Sequence, residues 1–141
     1  MGRRRKAREV ALQVLFEIDV LEIDSKEAID LFWDNFEAPK EARGFSSRLI
    51  QGVKERQKEI DSLIETCSDN WALSRMSRVD RNILRIAVYE FLYCEDVPPK
   101  VTLNEAIDLG KEFGTENSGS FINGILDALN AKLQKDNGDK N

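Results

Sequence analysis

The sequence predicts an all-α protein of about seven helices in a single domain, residues 1–141. Apolar residues recur at intervals of three and four along most of the chain, a spacing that places them on one face of a helix. No long stretch alternates apolar and polar residues, and prolines, glycines and capping residues separate the apolar runs. The length allows a core without disulfides or metals.

The first half of the chain contains three apolar runs at helical spacing. The first predicts a helix over about 4–20, with its stripe formed by Ala7, Val10, Ala11, Val14, Leu15 and Ile18. A second helix is expected over 24–39, where Pro39 ends the pattern. A long third helix is expected over 40–67, with a weak and bendable middle at 54–59.

The next helices are indicated by their caps. A short helical segment is expected at 71–76, and Ser77 with Asp80 resembles the cap of a helix over 78–94. That helix is apolar nearly all round, which predicts a central position in the fold.

Two further helices are predicted after the pair Pro98 and Pro99. Thr102 and Glu105 have the spacing of a capping box, and Gly114 is placed to end the helix in a left-handed cap. The last helix begins near residue 121, and the polar tail at 135–141 is expected to be disordered.

The composition excludes several classes of function. The chain has no histidine, which removes Ser-His-Asp hydrolysis and most zinc sites, so we expect no enzyme, no metal and no cofactor. Cys67 and Cys94 are far apart and are expected to be reduced. No run reaches the length of a membrane span, and a soluble cytoplasmic protein is predicted.

A basic block occupies residues 1–8 of a chain whose net charge is −5. It contains five of the 21 basic residues and no acid. A local cluster of guanidinium groups is typical of phosphate binding and therefore indicates RNA. A solvated basic tail is the alternative.

The first helix presents an aromatic ring among these cations. On a helical wheel Phe16 points away from the apolar stripe. The same side carries Arg5, Leu12 and Arg8, flanked by Lys6 and Gln13. A ring beside cations can stack on a base while the cations hold phosphates, which predicts single-stranded nucleic acid binding. The alternative is that this helix lies between two layers and buries Phe16 and Leu12.

Weaker candidates lie elsewhere. Phe121 is at the edge of the last apolar stripe and follows Asn117 and a polar turn whose groups suit an anion or a base. Asp80, Glu90 and Glu105 are interpreted as structural ion-pair partners in preference to paired catalytic carboxylates.

Three segments together resemble the NusB family of transcription antitermination factors. They are ARE-x-ALQ-x-LF at Ala7–Phe16, WALSRMSRVDRNILRIAVYE at Trp71–Glu90 and PPKVTLNEAIDLGKEFGTENSGSFINGILD at Pro98–Asp127. The resemblance implies two packed three-helix subdomains. It also implies binding to the boxA element of ribosomal RNA leader transcripts with NusE, the small-subunit ribosomal protein. This would take place in an antitermination complex on RNA polymerase with other Nus factors.

The resemblance also assigns roles to residues. The implied RNA contacts are Arg4, Arg5, Lys6, Arg8, Gln13, Phe16, Asn117 and Phe121. Asp80 matches an acidic position implicated in NusE binding. A tyrosine can stand at the position of Phe16 in the family, and an aspartate at that of Asn117.

Two other readings of the sequence remain open. One is a scaffold that homodimerises through the first helix and buries Phe16 in the interface. The other is an accessory domain of the kind found fused to RNA cytosine methyltransferases, although no glycine-loop segment of a parallel sheet is present to supply the catalytic domain.

Overall fold

The computed structural model describes residues 2–22, 26–27, 30, 40–69 and 71–139. Its elements in chain order are α1 (Gly2–Leu21), α2 (Lys40–Glu55), α3 (Gln57–Thr66), a 3-10 turn (Leu73–Arg75), α4 (Arg78–Tyr93), α5 (Pro99–Phe113) and α6 (Ser118–Asp139). None of the described residues forms a strand, so the predicted all-α class is confirmed. The helix predicted over 24–39 lies almost wholly outside the described residues.

Helix α4 is the centre of the fold, because it packs against each of the other five described helices. Its buried apolar side chains are Ile83, Leu84, Ile86, Ala87 and Val88. The predicted cap is present, since the hydroxyl of Ser77 accepts a hydrogen bond from the backbone N–H of Asp80 at 3.0 Å. The central position and the cap are both confirmed.

Helix α1 buries the stripe that its periodicity predicts. The six stripe residues are at most 4% exposed, and α1 packs against α2 and α4. Leu12, on another side of the helix, is also buried. Helix α1 therefore meets neighbours on more than one face.

An ion-pair network fixes the last turn of α1. The carboxylate of Asp19 accepts hydrogen bonds from Asn82 at 2.8 Å and from Arg85 at 3.1 Å, and Arg85 also donates to Asp61 on α3 at 2.9 Å. Burial raises the pKa of Asp19, but the Asn82 hydrogen bond and the charges of Arg85 and Arg81 outweigh it and hold that pKa below its ordinary value. The network ties α1 to α3 and α4 one turn after Phe16.

The long third helix predicted from the sequence is two helices. The chain breaks at Arg56, inside the predicted weak middle, where φ is −110° and ψ is 15°. Gly52, one turn earlier, lies against α4, and a Cβ atom there would overlap the ring of Tyr89. The short segment predicted at 71–76 is the 3-10 turn.

The predicted capping box of α5 is wrong. The helix begins at Pro99, with Pro98 as its N-cap, so Thr102 lies inside the first turn. Proline is well suited to the first helical position because its φ is preset and its missing N–H has no partner there. The hydroxyl of Thr102 donates instead to the buried carboxylate of Glu90 at 3.0 Å.

The left-handed cap expected at the end of α5 is also wrong. Gly114 does end α5, but its φ of −97° and ψ of −157° are extended and not left-handed. Steric crowding explains why a glycine stands here, since a Cβ atom at residue 114 would collide with the side chain of Ser118. The Oγ atom of Ser118 accepts a hydrogen bond from the backbone N–H of Thr115 at 2.9 Å. Helix α6 continues to Asp139, and the last two residues of the tail predicted over 135–141 lie outside the described residues.

Candidate nucleic-acid interface

The basic block forms the first turns of α1 and is matched by acids from distant parts of the chain. Arg4 donates to Asp96 at 2.7 Å, in the connection between α4 and α5. Arg5 donates to Glu105 at 2.9 Å and to Asp108 at 2.7 Å, both on α5. Both arginine side chains remain 47% exposed, so each keeps donors that face solvent.

These ion pairs change the electrostatics of the block. The hydrogen bond to Glu105 raises the pKa of Arg5 above its ordinary value, with Asp108 adding to the effect. Lys6 lies 3.6 Å from the Glu9 carboxylate on the same helix. A phosphate group that approaches this surface therefore has to share the cations with carboxylates already bound to them.

Arg8, which the sequence predicts to contact RNA, is buried in the structure. Its side chain is 3% exposed and forms a two-pronged pair with Glu90, at 2.7 and 2.9 Å, in the interior between α1 and α4. A guanidinium with this burial presents no donor to a phosphate in solvent, which contradicts its assignment as an RNA contact. The interpretation of Glu90 as a structural ion-pair partner is confirmed.

Phe16 and Gln13 lie on the surface of α1. The phenyl ring is 37% exposed and Gln13 is exposed, and both line an open groove of about 340 Å³. The other side chains along this groove include Lys6, Glu9, Val79 and Phe113. The wheel therefore placed Phe16 correctly but was wrong for Leu12, which is 5% exposed and packs inside. The alternative, in which α1 lies between two layers and buries both side chains, is therefore right for Leu12 and wrong for Phe16.

A second aromatic surface surrounds the start of α6. Asn117 is exposed in the turn before this helix, and its carbonyl accepts from the backbone N–H of Phe121 at 3.1 Å. Phe121 is half-buried and meets Trp71 edge to face, with ring centroids 6.1 Å apart. Trp71 itself is 52% exposed. The expectation that Phe121 lies at a rim is confirmed.

The groove and this second surface are neighbours along the chain. Phe113 lines the groove at the end of α5, and Asn117 follows four residues later. Four residues span at most about 14 Å between Cα atoms. Phe113 and Asn117 therefore lie near each other, at the end of α5 and just before α6.

Phe113 and Trp71 were missed as surface candidates by the sequence argument. Phe113 is 45% exposed although it ends a helix with an otherwise conventional apolar stripe. The spacing offered no signal, because Phe113 follows Gly110 by three positions and so continues the apolar stripe of α5.

Asp80, the predicted partner contact, lies in the first turn of α4. The residue is half-buried, and its Oδ1 atom is buried without a hydrogen-bond partner among the described residues. An acid in a first turn is also favoured by the helix dipole, which supplies a structural reason for its presence.

Other kinds of site find little support within the described ranges. No three His, Cys, Asp or Glu residues of the described part lie together as metal ligands. Cys67 and Cys94 are free thiols, and burial raises the pKa of Cys94. Among the helices described, none is long and apolar enough to span a bilayer.

Comparison with known proteins identifies the family. The sequence profile described as the NusB family matches residues 5–131. The chain belongs to the NusB family. The transcription antitermination protein NusB of Syntrophus aciditrophicus is 61% identical over 137 residues, covering 97% of this chain and 85% of the relative. That of Myxococcus xanthus is 44% identical over 139 residues, covering 96% of this chain and 99% of the relative.

Solved structures agree with this assignment. NusB of T. maritima superposes with a TM-score of 0.83 at 39% identity, covering 91% of this chain and 90% of that one. A chain from the crystal structure of antitermination factors NusB and NusE in complex with dsRNA has a TM-score of 0.84 at 28% identity, covering 94% and 98%. The NusB relatives are named as transcription antitermination proteins, which are not enzymes.

Proposed function

We propose that this chain is a single-domain transcription antitermination factor that binds the boxA element of ribosomal RNA leader transcripts together with NusE. The observation that carries the proposal is the exposed ring of Phe16, which lies with Gln13 on a helix that begins with the half-exposed cations Arg4 and Arg5. Stacking on a ring and charge pairing with phosphates are the two interactions that hold single-stranded RNA.

The proposed RNA surface contains Arg4, Arg5, Lys6, Gln13, Phe16, Asn117 and Phe121. Arg8 is left out because its side chain is buried against Glu90. The family relationship supports binding to RNA and NusE, since a chain similar in fold occurs in a complex of NusB, NusE and dsRNA. Within the cell we propose that the pair acts on RNA polymerase with other Nus factors.

The partner NusE is expected to raise RNA affinity, and the coupling must be reciprocal. We propose Asp80 as a contact to NusE through the part of its half-buried side chain that solvent reaches, since its Oδ1 atom is buried. Asp80→Arg should then weaken NusE binding while leaving the RNA affinity of the isolated chain unchanged. Asp80→Asn is the matched variant that removes the charge without reversing it.

The experiment is a titration of boxA RNA into the chain, alone and with NusE, at two salt concentrations. We expect tighter binding with NusE and a preference for boxA over a scrambled sequence. If NusE neither binds nor changes RNA affinity, the adaptor mechanism is wrong. If the free chain is a dimer that neither binds RNA nor dissociates when RNA is added, the chain is a homodimeric scaffold and not an RNA-binding adaptor.

Removing either partner of the Arg5–Asp108 ion pair should change RNA affinity, in opposite directions for the two partners. Arg5→Ala removes a phosphate contact and should weaken RNA binding roughly two- to fivefold, because exposed charge contacts contribute little individually. It should also flatten the salt dependence by about 0.7 in the logarithmic slope. Asp108→Asn removes a competing carboxylate and should strengthen binding by a similar factor. Fluorescence anisotropy with labelled RNA measures both.

Glu65→Gln is the control for net charge, since Glu65 is an exposed acid on α3. It removes the same charge as Asp108→Asn at a site outside the ion pairs of the basic block. Equal effects of these two variants would mean that only the overall charge matters. An unchanged slope in Arg5→Ala would show that the guanidinium of Arg5 does not contact phosphate.

A further inference from the structure

Phe113 is an exposed aromatic residue for which the proposed RNA contacts give no role. It is the last residue of α5, and 45% of its surface is open to solvent. Exposed large apolar side chains that share a concave surface mark binding sites more often than isolated ones do. Phe113 meets this condition, because it lines the same groove as Phe16.

The groove has the size and the chemistry of a site for a flat neutral ring. Its volume of about 340 Å³ falls within the range of ligand clefts, roughly 300–1,000 Å³. Two phenyl rings supply apolar surface, and the amide of Gln13 supplies both a donor and an acceptor. The charges of Glu9 and Lys6 in the same groove oppose each other at 3.6 Å, so this pair leaves no net positive charge there for a phosphate. A nucleobase fits these requirements better than the backbone of a nucleic acid does.

We propose that Phe113 is a second base-contacting residue, and that the groove takes one unpaired base of single-stranded RNA against the rings of Phe16 and Phe113. The amide of Gln13 then bonds the edge of that base, while the sugar-phosphate backbone runs outside the groove toward the cations at the start of α1. This inference rests on the proposed function, since it assigns a base to the same RNA surface.

Continuity favours RNA over a protein segment as the occupant. Lys6, Gln13 and Phe16 line the groove and already belong to the proposed RNA surface. From Phe113 the chain leads within four residues to Asn117, the next proposed contact. The groove therefore shares three residues with the proposed RNA surface and lies close in sequence to a fourth, which favours RNA as its occupant.

The test measures the affinity of the full chain for single-stranded boxA RNA without NusE. Phe113→Ala should weaken binding roughly 5- to 140-fold, the loss expected for one base stack. Phe113→Leu keeps apolar volume but not the ring, so it should recover only part of the affinity. Val101→Ala is the matched control, because Val101 is 43% exposed on the same helix and does not line the groove.

Two further measurements separate the outcomes. If one base contacts both rings, the double variant Phe16→Ala with Phe113→Ala should lose less RNA affinity than the product of the two single fold-losses. Thermal unfolding of each variant should stay close to that of the unmodified chain, because both rings are substantially exposed.

Several results would overturn the inference. If Phe113→Ala binds RNA like Val101→Ala while Phe16→Ala binds weakly, Phe113 is not a base contact and the proposed function stands. If Phe113→Ala binds NusE more weakly but binds RNA with unchanged affinity, the groove is a binding site for the protein partner and not for a base. If the unmodified chain binds no RNA even with NusE, the proposed function itself is wrong.

Discussion

Arg8→Ala is expected to lower the free energy of unfolding by about 3–5 kcal/mol, the usual cost of removing one partner from a buried ion pair. The variant leaves the Glu90 carboxylate, 1% exposed, with only the hydroxyl of Thr102 as a described side-chain donor. An ionised carboxylate without a cation is unfavourable at this depth. Urea unfolding followed by circular dichroism measures the loss.

Arg5→Ala provides the control for this prediction. It removes the same side chain from the same helix, but Arg5 is 47% exposed and its ion pairs are on the surface. The unfolding midpoint of Arg5→Ala should therefore stay near that of the unmodified chain. Arg8→Met combined with Glu90→Met should regain much of the lost stability, because no uncompensated charge remains in the interior.

The opposite result would restore the prediction made from sequence. If Arg8→Ala unfolds at the normal urea concentration but loses RNA affinity, Arg8 leaves Glu90 to contact phosphate. The pair of measurements thus separates a residue that holds α1 on α4 from a residue that binds RNA.

The fold was largely predictable because its helices have clear internal signals. The spacing of the α1 stripe, the Ser77 cap and the apolar circumference of α4 are properties of single segments, and each is confirmed. The errors arose where two local signals compete. Near residue 100 a Pro-Pro start and a capping box both fit, and the proline determined the first turn of α5.

The candidate site was predictable only in part, because long-range pairing decides which cations are exposed. Arg8 and Glu90 are 82 positions apart, and Arg5 and Asp108 are 103 positions apart. Nothing in the block itself distinguishes the buried Arg8 from the half-exposed Arg5. A wheel assigns one buried face, whereas α1 has neighbours on several sides, so Leu12 was placed wrongly and Phe16 correctly.

Phe16→Ala is expected to lower RNA affinity by about 1–3 kcal/mol, the contribution of one base stack, with little loss of folding stability. A phenylalanine in a core would instead cost about 3–5 kcal/mol of the free energy of unfolding when truncated to alanine. The 37% exposure of the ring places Phe16 outside that class. RNA titration and urea unfolding of the same variant measure the two quantities.

Phe16→Tyr is the matched variant, since it keeps the stacking surface and adds a hydroxyl group. It should retain most of the RNA affinity, whereas Phe16→Leu should lose part of it despite similar apolar volume. A Phe16→Ala protein that unfolds easily while its folded fraction binds RNA normally would show that the ring only packs. A variant that keeps both stability and affinity would move the stacking site to another aromatic residue, and Phe113, on the same groove, is then the first to test.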